Sequence, residues 1–268
     1  DQFGTYDFDI RSNYRLSIRK PNPDFRLVCR PLFGRAANGN QILGNSLSLR
    51  RGGRMHLQFQ VERLDGFAGD VMVSCDQLPP GIECRPVTVT SAQSSADLVF
   101  FAREDAPPGK GIVKVSGKAA IGEQQVVHEA IHTCVTWETG NKGQVPAYYR
   151  RTRDLEISVM PHETAAVTVQ AGDGKVLETS LGGKIQLPVK LVRRHNYVEP
   201  LKLTARSLPG QLKPGDLTIA KDKNDGTIEV FVKDKNTRPG SYSFCLKGDA
   251  KFKYSRNPEA ASREDAEF

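Results

Sequence analysis

The sharpest chemical pattern in the chain is His128-Glu129-Ala130-Ile131-His132, which fits the HExxH form of zinc peptidases. That chemistry needs a helix, where residues four apart share a face about 6 Å from each other, so that both imidazoles reach one zinc and the glutamate acts as base. On a strand the same histidines stand roughly 13 Å apart at ~3.3 Å per residue. The flanks QQVVHEAIHTCVTW are rich in β-branched residues, and no third ligand follows at a usable spacing. Residues 128–132 therefore read as strand, with both histidines on an outer face, and no catalytic residue, metal or cofactor is assigned.

Five cysteines are present, Cys29, Cys75, Cys84, Cys134 and Cys245, and none lies in a CxxC pair that would suggest a zinc ribbon or a redox motif. Cys75 and Cys84 flank a Leu-Pro-Pro-Gly turn, and both are replaced together, by Ala205 and Pro214, where the surrounding pattern recurs. Paired absence points to a disulfide, worth ~2–3 kcal/mol on the loop-entropy model and suited to an oxidising compartment. Cys245 lies between Phe244 and Leu246 and points away from the core they would build. Tyr148, Tyr149, Arg150, Arg151 and Arg153 combine aromatic area with charge, the mixture enriched at binding surfaces, and are the candidate partner contact. No GxSxG elbow, phosphate loop or dinucleotide fingerprint appears. The basic residues are mixed with acidic ones and match no nucleic-acid module, so no specific nucleic-acid partner is expected.

The elements that must hold these residues are strands. Met55, Leu57, Phe59 and Val61 alternate with His56, Gln58, Gln60 and Glu62, the period of a half-buried strand. Val71, Val73 and Cys75 repeat it, as do Leu98, Phe100 and Ala102, with turn clusters such as LPPG and DAPPGKG between them. The pattern is then written a second time. Gly53 matches Gly183 and Leu78-Pro79 matches Leu208-Pro209 at the same offset, and Pro108-Gly109 meets Pro239-Gly240 with the offset grown by one. Inward positions agree in parity, which a one-residue slip would destroy. The expected fold class is all-β: two tandem immunoglobulin- or fibronectin-III-like antiparallel β-sandwiches over 22–137 and 153–253. A 138–152 linker joins them, a hairpin from a preceding domain occupies 1–21, and a polar tail covers 254–268. Pro188 inside a strand implies an edge or a bulge.

Net charge is +7 and the pI about 9.2, which favours acidic partners, an acidic polymer or glycan included. No apolar run approaches the ~20 residues of a membrane-spanning helix. The first residue is Asp1 rather than Met, which suggests a chain processed or cut from a longer one.

The phrases YRLSIRKPNPDFRL, SLSLRRGG, VERLDGFAGDV, LPPGIECRP and DAPPGKGIVKVSGKA, in that order, resemble the Ig-like repeat region that follows the pre-peptidase C-terminal domain in large exported planctomycete proteins. The resemblance covers roughly residues 5–137 and extends more loosely to the second copy. It implies export to the periplasm, cell surface or medium, and modular binding without a catalytic part. The expected function is thus a non-catalytic scaffold or protein-interaction module in a larger assembly. One alternative is a carbohydrate or cell-wall binding module, which would need an exposed aromatic platform from Tyr148, Tyr149, Tyr197 and Phe67. The other is a zinc metallopeptidase built on His128 and His132.

Overall fold

Period-2 alternation builds extended chain wherever the sequence carries it. The computed structural model describes residues 18–30, 34–35, 41–42, 47–137, 148–172, 174–195, 197–233, 235–249, 253–255 and 265–267, and among these there is no helix. The hairpin expected in 1–21 falls mostly outside them, as does 138–147 of the linker. In chain order the strands are β1 (Asp24–Arg30), β2 (Gly34–Arg35), β3 (Gln41–Ile42), β4 (Leu47–Arg51), β5 (Arg54–Leu64), β6 (Val71–Gln77), β7 (Ile82–Cys84) and β8 (Val87–Val89). They continue as β9 (Ser95–Ala102), β10 (Gly109–Ile121), β11 (Gln124–Glu129), β12 (Ile131–Trp137), β13 (Tyr148–Arg151), β14 (Leu155–Thr164), β15 (Val167–Ala171) and β16 (Lys184–Arg193). The last are β17 (Leu201–Arg206), β18 (Leu212–Pro214), β19 (Leu217–Ile219), β20 (Asp225–Val232), β21 (Cys245–Asp249), β22 (Lys253–Ser255) and β23 (Asp265–Glu267).

Two six-stranded sheets, β13-β12-β1-β5-β9-β7 and β4-β14-β10-β6-β8 with β11 also on β10, share one hydrophobic cluster. Phe25, Leu27, Phe59, Leu98 and Phe100 reach it from one sheet and Val71, Val73, Val115 and Ile157 from the other. A second cluster, with Val189, Leu191, Leu203, Ile219, Ile228 and Val230, fills the space between β15-β16-β20-β18 and β19-β17-β21. Of the residues read as inward from alternation in 54–62 and 95–102, Leu57, Phe59, Val61, Leu98, Phe100 and Ala102 are buried in the first cluster and Met55 packs against it partly exposed.

Several turn bonds recur about 130 positions apart, the offset at which the sequence pattern recurs. Gly52 N donates to Ala102 O as Gly182 N does to Val232 O, at 2.8 Å in both. Ile82 N donates to Pro79 O and Leu212 N to Pro209 O. Asp65 and His195 both take positive φ, 50° and 54°. Gly117 and Gly248 occupy matching positions: a Cβ would come within 2.9 Å of Phe25 in the first and 3.0 Å of Leu203 in the second, so a side chain there would displace the core.

Three stretches differ from their sequence reading. Leu155–Thr164, placed at the start of the second unit, is hydrogen-bonded into the first unit's sheet, antiparallel to β10 (Ile157 opposite Gly111) and parallel to β4 (Ile157 opposite Leu47). Its Leu155, Ile157 and Val159 complete the first cluster, since their alternation fits the open side of β10. Pro188 sits in β16, which is paired on both sides, rather than at an edge or bulge. It is tolerated because β15 ends at Ala171, opposite Val189, so no ladder bond from β15 is lost at Pro188, whose carbonyl accepts from the following Gly172 N–H. In the stretch read as a polar tail, Lys253–Ser255 pairs with Asp265–Glu267.

Candidate functional site

His128 and His132 lie on different sheets. β11 runs on β10, the chain turns at buried Ala130, whose N–H bonds Val115 O at 2.8 Å, and β12 then pairs in parallel with β1. His128 keeps part of its surface exposed, and its Nε2 meets Asp24 Oδ1 at 2.7 Å, a bond that holds the Asp24 carboxyl below its usual range. His132 corrects the expectation of an outer face. It is 5% exposed, opposite Cys29, and neither ring nitrogen has a partner. The alternation continues through Ala130: Val127 and Glu129 are exposed while Ala130 and His132 are buried, so the histidine rather than its apolar neighbours carries the inward parity. Among the described residues no group of three or more His, Cys, Asp or Glu side chains is placed to hold a metal ion.

Cys75 in β6 and Cys84 in β7 stand on the two facing sheets, both as thiols. Burial pushes Cys75 to about 11, and burial with the neighbouring Cys75 pushes Cys84 to about 12, so each stays protonated at neutral pH. Tyr148, Tyr149, Arg150 and Arg151 form β13, at the end of its sheet among the described residues, with Arg150 opposite Cys134 and Tyr149 opposite Val135. Arg150 and Arg151 are exposed, and Arg153 approaches Asp154 at 3.9 Å. This basic strand pairs directly with β12, which carries His132 and Cys134, and lies apart from Cys75 and Cys84 in pairing order.

The densest polar cluster was missed from sequence. It lies where the outer face of β5 and β9 meets the end of β17 and the start of β21. Asp97, only 3% exposed, accepts from Ser207 Oγ at 2.8 Å and lies 3.3 Å from Arg206 Nε, while its own N–H donates to Ser207 Oγ at 3.1 Å. Ser207 is held at φ 64°, and its carbonyl accepts from Gln93 Nε2 at 2.7 Å. Cys245 Sγ sits 4.0 Å from Asp97 Oδ2. It does point away from the second core, as its parity implied, but into this seam, where burial and then the carboxylate raise it to about 12. His56 contributes a buried, unpartnered Nε2, and burial lowers its pKa against the pull of Asp97. Chemically the cluster is a clamp. The serine proton is directed at a carboxylate, the thiol is held protonated, and the charge pair with Arg206 crosses between the two cores. The available signal was Asp97 itself, a lone acid inside SADLVFFA at an outward position.

A second seam runs alongside. Thr168 Oγ1 donates to Gly52 O at 2.6 Å and accepts from Arg194 at 2.8 Å, and Arg194 also pairs with Glu104. Arg50 Nε meets Glu163 Oε2 at 2.7 Å, and Ser243 Oγ accepts from Thr88 N–H at 3.1 Å. Compared with known proteins, the chain matches no family model and no curated protein.

Proposed function

We propose that the chain is a pair of tandem Ig-like β-sandwiches acting as a stiff, non-catalytic spacer and protein-interaction module of an exported, extracytoplasmic assembly. One observation carries this reading: β14 belongs to the first core by its side chains and leads directly into the second, while Asp97 and Thr168 tie the two faces together. A linker that flexed would need neither a strand sunk in the preceding sheet nor a buried carboxylate across the junction. The recurrence of the same turn bonds in both halves and the two separate clusters support two copies of one plan. The exposed arginines of β13 offer an acidic protein partner a sheet edge to pair with. A bridge between Cys75 and Cys84, if an oxidant in the destination compartment forms it, would tie the two sheets of the first sandwich.

Small-angle scattering tests the stiffness. The wild-type chain is expected to give one maximum dimension independent of salt, and the double variant Asp97→Ala/Arg194→Ala a broader distribution with a larger mean. A wild-type profile that already requires an ensemble of inter-unit angles would sink the reading.

A further inference from the structure

In the first unit β14 is seated between two neighbours, parallel to β4 and antiparallel to β10. Shared bonds place the residues of the second unit that match those neighbours. Gly53 N–H donates to Arg50 O and Gly183 N–H to Ser180 O, which sets 177–181 against β4. Val115 opposite Cys75 matches Leu246 opposite Ala205, and Gly117 opposite Val73 matches Gly248 opposite Leu203, which sets 240–244 against Gly109–Val113.

Neither 177–181 nor 240–244 is a strand, and among the described residues β21 is paired with β17 alone. The apolar side chains there are correspondingly uncovered. Leu177 is 42% exposed where Leu47 is 3% exposed, and Phe244 is half-buried where Val113 is buried. The segment 240–244 is nonetheless anchored. Ser243 Oγ accepts the Thr88 N–H of the first unit at 3.1 Å, and Tyr242 Oη donates to Arg238 O at 2.6 Å. An edge fixed in this way loses little further freedom when a strand is added to it.

Charge marks the same end of both units. In the first, Val159 lies opposite Gly109, so the residues after it run toward the turn that precedes β10, and Glu163 among them meets Arg50 Nε at 2.7 Å. That turn pairs its own Arg103 with Asp105 at 3.1 Å. The matching turn of the second unit exposes Lys233, Lys235 and Arg238.

We propose that the second unit receives a donated strand between 177–181 and 240–244: an extended peptide with apolar residues at three alternate positions and an acid beyond the third. β14 shows that pattern in Leu155, Ile157, Val159 and Glu163. The middle apolar residue of the donor would lie between Leu177 and Tyr242, as Ile157 lies between Leu47 and Gly111, and the basic turn would attract its acid. The inference rests on the two-copy reading above, which the scattering experiment tests independently and which stands if no strand binds.

A synthetic peptide of residues 154–164, DLEISVMPHET, is the probe. Added to the full chain, it is expected to slow hydrogen exchange at the amides of 177–181 and 240–244 and to leave Gly109–Val113, already paired with the chain's own β14, unchanged. The same peptide carrying Ile157→Asp is expected to bind at least about tenfold more weakly. Arg238→Glu in the chain is expected to weaken the unaltered peptide about threefold. Absence of protection at 240–244 overturns the proposal, as does equal binding of the Ile157→Asp peptide. Amides at 240–244 already protected in the chain alone also overturn it, because the edge would then be filled from within.

Discussion

His132 is enclosed in the first core with neither ring nitrogen hydrogen-bonded, and burial lowers its pKa from the ordinary value. The sign of the consequence follows from which state takes the proton first. Above about pH 6.5 the ring is neutral in both the folded and the unfolded chain and contributes no pH dependence. As pH falls below that value the unfolded chain binds the proton while the folded chain does not, so stability drops until the lowered folded pKa is reached. His56 adds a slope of the same sign. His132→Leu is expected to flatten part of the decline between pH 6.5 and 5 in urea titrations and to raise the midpoint at pH 5. An unchanged slope would mean that the imidazole is not held neutral. The sequence told that 128–132 is extended, because β-branched neighbours and turn spacing act locally. It could not tell that His132 points inward, because the apolar Val127 occupies the exposed parity here and hydropathy alone reads the two faces the wrong way round.

β14 shows the same division between local and tertiary information. The alternation of Leu155, Ile157 and Val159 announces a strand with one apolar face, and nothing within the strand says which core that face will meet. Ownership was settled by the open side of β10 and by β4, neither of them adjacent to β14 in chain order. Ile157→Ala is expected to destabilise the chain by about 2–4 kcal/mol, as deletions of well-packed aliphatic groups do. The loss is expected to appear in hydrogen exchange at β10 and β4 before it appears at β16 or β20. Early loss at β16 and β20 instead would assign the strand to the second core. Asp97 is the matching lesson for the polar seam: an acid within an apolar strand was visible, whereas its partners Arg206 and Ser207 belong to the other half of the sequence and come into range only through the packing of one unit on the other.

For the whole molecule, two hydrophobic clusters, with β14 of the first running directly into the second and buried polar bonds between them, imply coupled unfolding. Calorimetry of the wild-type chain is expected to give one cooperative transition. Asp97→Ala leaves the Arg206 guanidinium and the Ser207 hydroxyl without their carboxylate, and is expected to separate that transition into two. Two transitions in the wild type would show that the seams do not couple the cores. The charge of +7 acts on another property: it sets which partners are attracted at a distance, and that attraction weakens as salt rises.

Between the two cores the covalent path runs through Ala165 and Ala166, both essentially hidden from solvent. Ala165 N–H is held by Arg51 O at 2.9 Å and Ala166 O by Arg194 N–H at 2.8 Å. A protease that cuts flexible tethers therefore finds no purchase at this junction, and digestion would not release the halves as intact fragments. A chain stretched between its ends likewise has to peel β14 off β4 and β10 before the halves can part, so tension across the junction is borne by a row of backbone bonds rather than by a slack connector.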